Sequence, residues 1–324
     1  MQTFSYTRHD KKETMIAFLV RRFPYQKEEG WLKCLAAGEV KVNDRKTTPH
    51  RVLKSRDIVS YDRPRAKEPA VDDTYRIIYK DDWLVVVEKS GNLPISESGR
   101  YYRNTLINIL KEREDFSELF AVHRLDKETS GVVVIARTKA VATILGQQFV
   151  ERVPEKRYHA VLNGEFSMGE IMVTQPIKRN SSQQGKVRIR QVVDEEGKTS
   201  KTLFTAKKIV SGLTLAEIKT FSGRTHQIRC HAEHIGHPIL GDKLYGQSDD
   251  FFIRLLNHET EPLFPPYGRI ERQLLHASFL SFHHPDSKEW LTFQSDYLPE
   301  FRRYNLPEGL LTESSPENAE FRDR

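Results

Sequence analysis

The sequence predicts a mixed α+β fold: a mostly antiparallel central sheet with flanking helices, preceded by a small helix-helix-hairpin domain. Three observations carry this reading. Short β-branched runs recur from residue 75 onward, as in Leu84-Val85-Val86-Val87 and Val132-Val133-Val134-Ile135, and such runs suit central strands buried on both faces. Helical periodicity is confined to short stretches, with none of the regular βαβ alternation of a doubly wound fold. Charge is also uneven. Of 51 Lys+Arg and 45 Asp+Glu, the first 70 residues hold 16 and 9, a net +7, leaving 35 and 36 for the rest.

At 324 residues, 38% hydrophobic and 30% charged, the chain has room for two or three domains and is too apolar to be a disordered polyelectrolyte. No apolar run approaches the ~18 residues of a membrane helix, and the first residues lack a basic-then-apolar leader pattern. A cytoplasmic location without a membrane partner is expected. Cys34 and Cys230 fall in different predicted domains, which argues against a disulfide framework. Neither G-x-G-x-x-G nor G-x-x-x-x-G-K followed by Ser or Thr occurs, so dinucleotide and P-loop chemistry have no support.

Residues 1–62 form the basic domain. Asp10 and Glu13 have capping-box spacing, and Met15, Ile16, Phe18, Leu19 and Phe23 supply an apolar stripe for a helix ending near Arg22. Trp31, Leu32, Leu35 and Ala36 mark a second helix, stopped by Gly38. Val40 and Val42 before Asn43-Asp44, then Ile58 and Val59, give two short strands. A compact basic domain grips a phosphate backbone without regard to sequence, and Arg21, Arg22 and Lys33 are candidate contacts. The segment Thr14 to Tyr61 resembles the small alpha-L RNA-binding module named after a protein of the small ribosomal subunit, departing from it at Asn43-Asp44, where Asn-Gly is more usual. Residues 63–74, with their prolines and charges, read as a linker.

Residues 75–300 form the larger body, with helices expected at Asn104 to Lys111 and Lys139 to Glu151. Besides the runs above, strands are expected near 76–79, Tyr158 to Leu162, Leu203 to Lys208, Leu213 to Thr220 and Leu291 to Gln294. Residues 301–324 read as an acidic, flexible tail, since Pro307 to Arg324 carries 5 acidic and 2 basic residues and little apolar content.

The informative stretches are polar turns beside these strands. Ala121-Val122-His123-Arg124-Leu125-Asp126-Lys127-Glu128-Thr129-Ser130-Gly131 precedes a buried strand, where a carboxylate is placed to enter a cleft. Lys156-Arg157-Tyr158-His159-Ala160 opens another strand, and Ser222-Gly223-Arg224-Thr225-His226-Gln227-Ile228-Arg229-Cys230-His231 follows a third. Gly236-His237-Pro238-Ile239-Leu240-Gly241-Asp242 and Leu275-His276-Ala277 complete the series. In this order the blocks resemble the RluA family of pseudouridine synthases, over about Tyr75 to Leu298, with departures at Ser90-Gly91 and in the loop Arg179 to Lys201.

The resemblance implies the pseudouridine synthase fold and conversion of uridine to pseudouridine within RNA, with no cofactor and no metal. It makes Asp126 the catalytic carboxylate, Arg229 the arginine that keeps it ionised, and Tyr158 the aromatic packed on the uracil. Arg124 is implied to contact the nucleotide's phosphate or to fill the gap left by the extruded base, with His123 and Arg224 grouped beside it as RNA contacts. His226, His231, His234 and His237 lie close in sequence but lack H-E-x-x-H spacing, so they are expected to be structural. Lys178 to Lys208 holds 9 basic and 3 acidic residues, and Lys186, Arg188 and Arg190 are candidate RNA-backbone contacts. Large-subunit ribosomal RNA is the expected substrate of a monomer. A tRNA-directed enzyme and a non-catalytic assembly factor are the alternatives.

Overall fold

The computed structural model describes residues 2–5, 13–23, 27–61, 68–166, 169–180, 187 and 189–311. The chain divides into two compact units, Met1–Ala70 with Glu97–Arg103, and Val71–Ser96 with Asn104–Arg324.

The first unit runs β1 (Gln2–Ser5), α1 (Met15–Arg22), α2 (Glu28–Ala37), β2 (Val40–Val42), β3 (Arg45–Lys46) and β4 (Ile58–Tyr61), its strands antiparallel in the order β1-β4-β2-β3. Met15, Leu19, Trp31, Val40, Val42 and Val59 are fully buried between helices and sheet. Asn43 and Asp44 both take positive φ, 49° and 62°, the backbone that a two-residue hairpin turn demands. Asn43 also ties the turn down, its amide bonding Asp57 at 2.8 Å and its carbonyl oxygen accepting from Ile58 N at 2.8 Å, so the missing glycine is compensated. Thr14, rather than Asp10, caps α1, accepting from Ala17 N at 3.4 Å. Asp10 lies outside the described residues. Glu13 instead binds Arg21 bidentately, at 2.7 and 2.9 Å.

The second unit contains β5 (Tyr75–Lys80), β6 (Leu84–Lys89), α3 (Leu106–Arg113), β7 (Phe120–Ala121), β8 (Ser130–Ala136), α4 (Lys139–Glu151), β9 (Glu155–Asn163), β10 (Glu170–Val173), β11 (Ile177–Arg179) and β12 (Gln191–Val193). It continues with β13 (Thr202–Val210), β14 (Leu213–Thr220), α5 (Gln227–His234), α6 (Asp249–Leu256), β15 (Leu275–His283), β16 (Trp290–Gln294) and α7 (Leu298–Phe301). Among the described residues, ten of these strands make one sheet along β10-β13-β14-β9-β15-β8-β6-β5, with β16 beside β15 and β7 beside β8. All its pairings are antiparallel except β15 with β8. The expected fold class, mixed α+β with a mostly antiparallel sheet, is the one observed.

The continuous apolar runs are explained by alternation. Val85, Val87, Val133 and Ile135 face one core, under α3, while Leu84, Val86, Val132 and Val134 face a second, under α4. Strand β5 differs from expectation, because it is the sheet edge and its residues are only partly covered. At the parallel junction Gly131, with φ 112°, pairs with Ala277, and a Cβ there would stand 2.2 Å from the Ala277 carbonyl oxygen.

The tail expected from residue 301 is corrected by the structure as far as Leu311. Phe301 and Leu310 are fully buried, packed with Leu298 and Leu311 against Val161, Leu213 and Leu274. The acidic composition concealed three large apolar side chains spaced to reach that core. Leu310→Ala is therefore expected to lower unfolding stability by about 2–5 kcal/mol, read as a shift of the urea midpoint at unchanged slope, where a solvated tail would give no change.

Candidate active site

Asp126 sits in the loop before β8, closed by Thr129 N donating to Asp126 O at 3.1 Å. The loop is held from behind. Lys127 O accepts from Leu93 N at 2.9 Å and from buried Lys89 Nζ at 3.3 Å. Glu128 O accepts from Arg272 Nη1 at 3.1 Å, and Arg272 is itself buried and paired with Glu300 at 2.8 Å. Burial pushes the Lys89 ammonium down to about 7, with like-charged Arg272 adding to the effect.

Arg229 comes from α5 and reaches Asp126 Oδ2 with Nη1 at 2.9 Å. Its Nε and Nη2 grip Asp242 at 2.6 and 2.9 Å, and the guanidinium lies over the Tyr245 ring, 4.9 Å from its centroid. Asp242 is fully buried and also accepts from Leu244 N and Tyr245 N at 2.9 and 3.0 Å. Asp126 is the less satisfied carboxylate. Among the described residues its Oδ1 accepts no hydrogen bond, and its side chain keeps 17% exposure and lines a cleft.

Burial, the largest single influence, would raise the Asp126 carboxyl, but the charge of Arg229, the neighbouring His226, the Arg229 hydrogen bond and the charge of Arg124 together outweigh it, and the group is held below the usual carboxylate range. His226 Nε2 stands 3.8 Å from the same Oδ2. Burial holds that imidazole down at about 4 even though Asp126 pulls it up, so at neutral pH it is uncharged and the ionisation of Asp126 rests on the arginines. His226 Nδ1 is 3.0 Å from the Tyr245 hydroxyl, which fixes the ring. Tyr158, on β9 between Ile218 of β14 and Ala277 of β15, lines the cleft, its phenol pushed up to about 12 by burial with Asp126 adding.

Of the residues singled out by the sequence, Asp126, Tyr158, Arg229, Arg124 and Arg224 thus meet at one cleft. His123 does not. Its ring stacks on Phe149, 4.6 Å between centroids, its Nε2 accepts from Val134 N at 3.1 Å, and burial drives it down to about 3, so it is a neutral packing group rather than an RNA contact. Arg190 is likewise withdrawn, its guanidinium held by Glu233 at 2.9 Å, Asp249 at 3.4 Å and the Gln247 carbonyl at 2.8 Å. Lys186 and Arg188 lie outside the described residues. Arg21, Arg22 and Lys33 belong to the first unit, where Arg21 is engaged by Glu13 and Lys33 is exposed.

Two contributors escaped the sequence reading. Asp242 ends the Gly236-to-Asp242 block, and its role becomes visible only once the chain folds back onto α5. His226, three residues before Arg229, stands at the N-cap of α5 with left-handed backbone (φ 53°), a placement that helix spacing does not announce. Of the remaining clustered histidines, His231 lies between Thr202 and the Gln175 carbonyl and His237 against the Asn163 carbonyl, each in a hydrogen bond of 2.8–3.0 Å.

A carboxylate kept ionised with the help of a buried arginine, open on one oxygen and in a cleft also lined by a tyrosine, defines a site of acid–base or nucleophilic character on a large, mostly antiparallel sheet. Comparison with known proteins gives the family. A family profile described as RNA pseudouridylate synthase matches residues 83–234. The chain is 32% identical to "Ribosomal large subunit pseudouridine synthase D" of Zymomonas mobilis, over 75% of this chain and 77% of that one. It is 28% identical to "tRNA pseudouridine(32) synthase, mitochondrial" of Saccharomyces cerevisiae, over 74% of this chain and 51% of that one, and so spans about half the length of that relative. The solved structure of "Human RNA Pseudouridylate Synthase Domain Containing 1" superposes with a TM-score of 0.55 at 26% identity, covering 71% of this chain and 86% of that one. The chain belongs to the RNA pseudouridylate synthase family.

Because Arg229 alone bridges two buried carboxylates, Arg229→Met is expected to cost about 3–5 kcal/mol of unfolding stability, the penalty for stranding a buried charge. Urea denaturation at pH 7 measures it, and the deficit should shrink as the pH is lowered and the stranded carboxylates protonate.

Proposed function

We propose that the protein isomerises uridine to pseudouridine within RNA, with Asp126 as the catalytic carboxylate. The observation that carries this is the Asp126 side chain itself: ionised, oriented through Oδ2 by Arg229, with Oδ1 unbonded among the described residues, and lining the cleft together with Tyr158. The reaction breaks the bond between the ribose anomeric carbon and the ring nitrogen, turns the uracil, and joins the sugar to a ring carbon, whose proton leaves while the nitrogen gains one. All atoms stay within one nucleotide, so the demand on the protein is a charged group at the glycosidic bond, a surface for the turning base and a path for one proton.

Asp126 supplies the first. Tyr158 supplies the second and assists the third; with its phenol near 12 it rests as a neutral hydroxyl and passes the proton on rather than holding it. Arg124 and Arg224 at the cleft rim offer charge-assisted bonds to phosphates flanking an extruded nucleotide, offsetting the few kcal/mol that extrusion costs. The first unit, with Arg22 and Lys33 exposed, adds a sequence-independent grip on structured RNA.

Large-subunit ribosomal RNA is the proposed target. The Zymomonas relative, whose name carries that substrate, aligns over 77% of its length, whereas the tRNA-named yeast relative aligns over 51%. The test is carbodiimide-adduct primer extension on undermodified ribosomal RNA and tRNA treated with wild type or Asp126→Asn. Stops made in ribosomal RNA by the wild type alone are expected; stops confined to tRNA would move the substrate assignment, and identical maps from two RNA-binding proteins would leave an assembly factor as the better reading. Arg22→Gln with Lys33→Gln is expected to reduce the slope of log affinity against log salt by about 1–2 while leaving the modified position unchanged.

A further inference from the structure

Several hydroxyl groups in and beside the cleft are bonded to protein neighbours. Thr129 Oγ1 accepts from Gln273 Nε2 at 3.2 Å, and Ser222 Oγ donates to Gln227 Oε1 at 2.7 Å. Thr202 Oγ1 bonds both Gln227 Nε2 at 2.9 Å and His231 Nδ1 at 2.8 Å. Thr220, the residue directly opposite Thr202 in the β13–β14 ladder, lines the cleft beside Tyr158 yet has a buried Oγ1 with no hydrogen-bond partner, in a side chain on a residue only 7% exposed. The Thr220 hydroxyl would hydrogen-bond an ionised Tyr158 phenol and so pulls that group down against burial, although in the resting geometry Oγ1 has no partner.

An orphaned buried hydroxyl is costly, and a sequence that needed only to fill this place has Val available at the same volume and with better strand propensity. Keeping a hydroxyl there is reasonable if something that enters the cleft completes it. We infer that Thr220 is a substrate-contact residue whose Oγ1 bonds the polar edge of the pyrimidine when the base lies against Tyr158. A hydroxyl both donates and accepts, so it serves either a ring carbonyl or the imide N–H, and it keeps a bond as the uracil turns and exchanges one edge for another. This rests on the uridine-isomerising activity proposed above and adds a residue that reads the base, separate from the Asp126–Arg229 pair.

The experiment compares full-length wild type, Thr220→Val and Thr220→Ser, measuring pseudouridine formation on the RNA identified by the primer-extension map and the melting temperature of each protein. With no protein partner to lose, T220V is expected to melt at or above the wild-type temperature while kcat/KM falls about 10- to 100-fold, the loss typical of one unmade bond in a site built for it. T220S, which keeps the hydroxyl, is expected to retain kcat/KM within about threefold. T220V at wild-type kcat/KM, or a T220V that loses activity only in step with a lowered melting temperature, overturns the assignment while an active wild type leaves the reaction standing. A wild type that forms no pseudouridine overturns both.

Discussion

Arg229 divides its N–H groups unequally between two carboxylates, and the geometry of the cleft depends on that division. Asp242 takes two of them, together with the amides of residues 244 and 245, and is thereby fixed and fully enclosed. Asp126 receives one, which with the nearby charges helps keep it ionised against burial yet, among the described residues, leaves an oxygen uncommitted. A guanidinium is suited to this because its planar fork meets one carboxylate bidentately and still projects a donor sideways, whereas an ammonium is a point charge without that fixed geometry. The second carboxylate also offsets the cost of burying the cation, so the arginine is itself stabilised before substrate arrives.

Behind this pair stands a second tier of buried cations. Lys89 and Arg272 bond the carbonyls that immediately follow Asp126, and neither is available to solvent. Gly91 is required beside them, since a Cβ would fall 2.3 Å from Arg272 Cδ. The departure at Ser90-Gly91 is accommodated in the same place, with Ser90 Oγ bonding the Asp72 carbonyl at 2.5 Å. Through Glu300, Arg272 also connects the loop to the C-terminal segment whose apolar residues reach the core.

What the sequence revealed and concealed follows from what kind of burial each element has. Helix α4 and strand β14 fall where periodicity placed them, because their buried positions are largely apolar and their termini carry ordinary signals, Thr138 as cap and Gly212 in a positive-φ turn. Helix α5 and strand β15 were not legible as elements. Gln227, Arg229 and His231, then His276, Ser278 and Ser281, are buried polar residues, and a polar side chain buried against a specific partner looks in sequence like one facing water. The same blindness explains the arginines. Counting charges from Lys178 to Lys208 marks Arg190 as a backbone contact, but Glu233 and Asp249, which engage it, are more than forty residues away in the chain. Asp126, Tyr158 and Arg229 were found through family resemblance rather than from periodicity, and their meeting at one cleft is what the structure adds.

The 103 residues that separate Asp126 from Arg229 set an order of events in the life of the chain. During synthesis the carboxylate is made early, while the arginine that charges it, the aspartate that steadies that arginine and the Arg272 that clamps the loop follow much later, and Ser130 meets His276 only across 146 residues. The first unit, by contrast, draws only on residues up to Arg103 and can close as soon as these are made. A nascent or truncated molecule can therefore complete its basic unit before the Asp126–Arg229 pair can form. The Asp126–Arg229 pair forms only once both ends of that span have been made, so its presence reports that distant segments of the larger unit have come together.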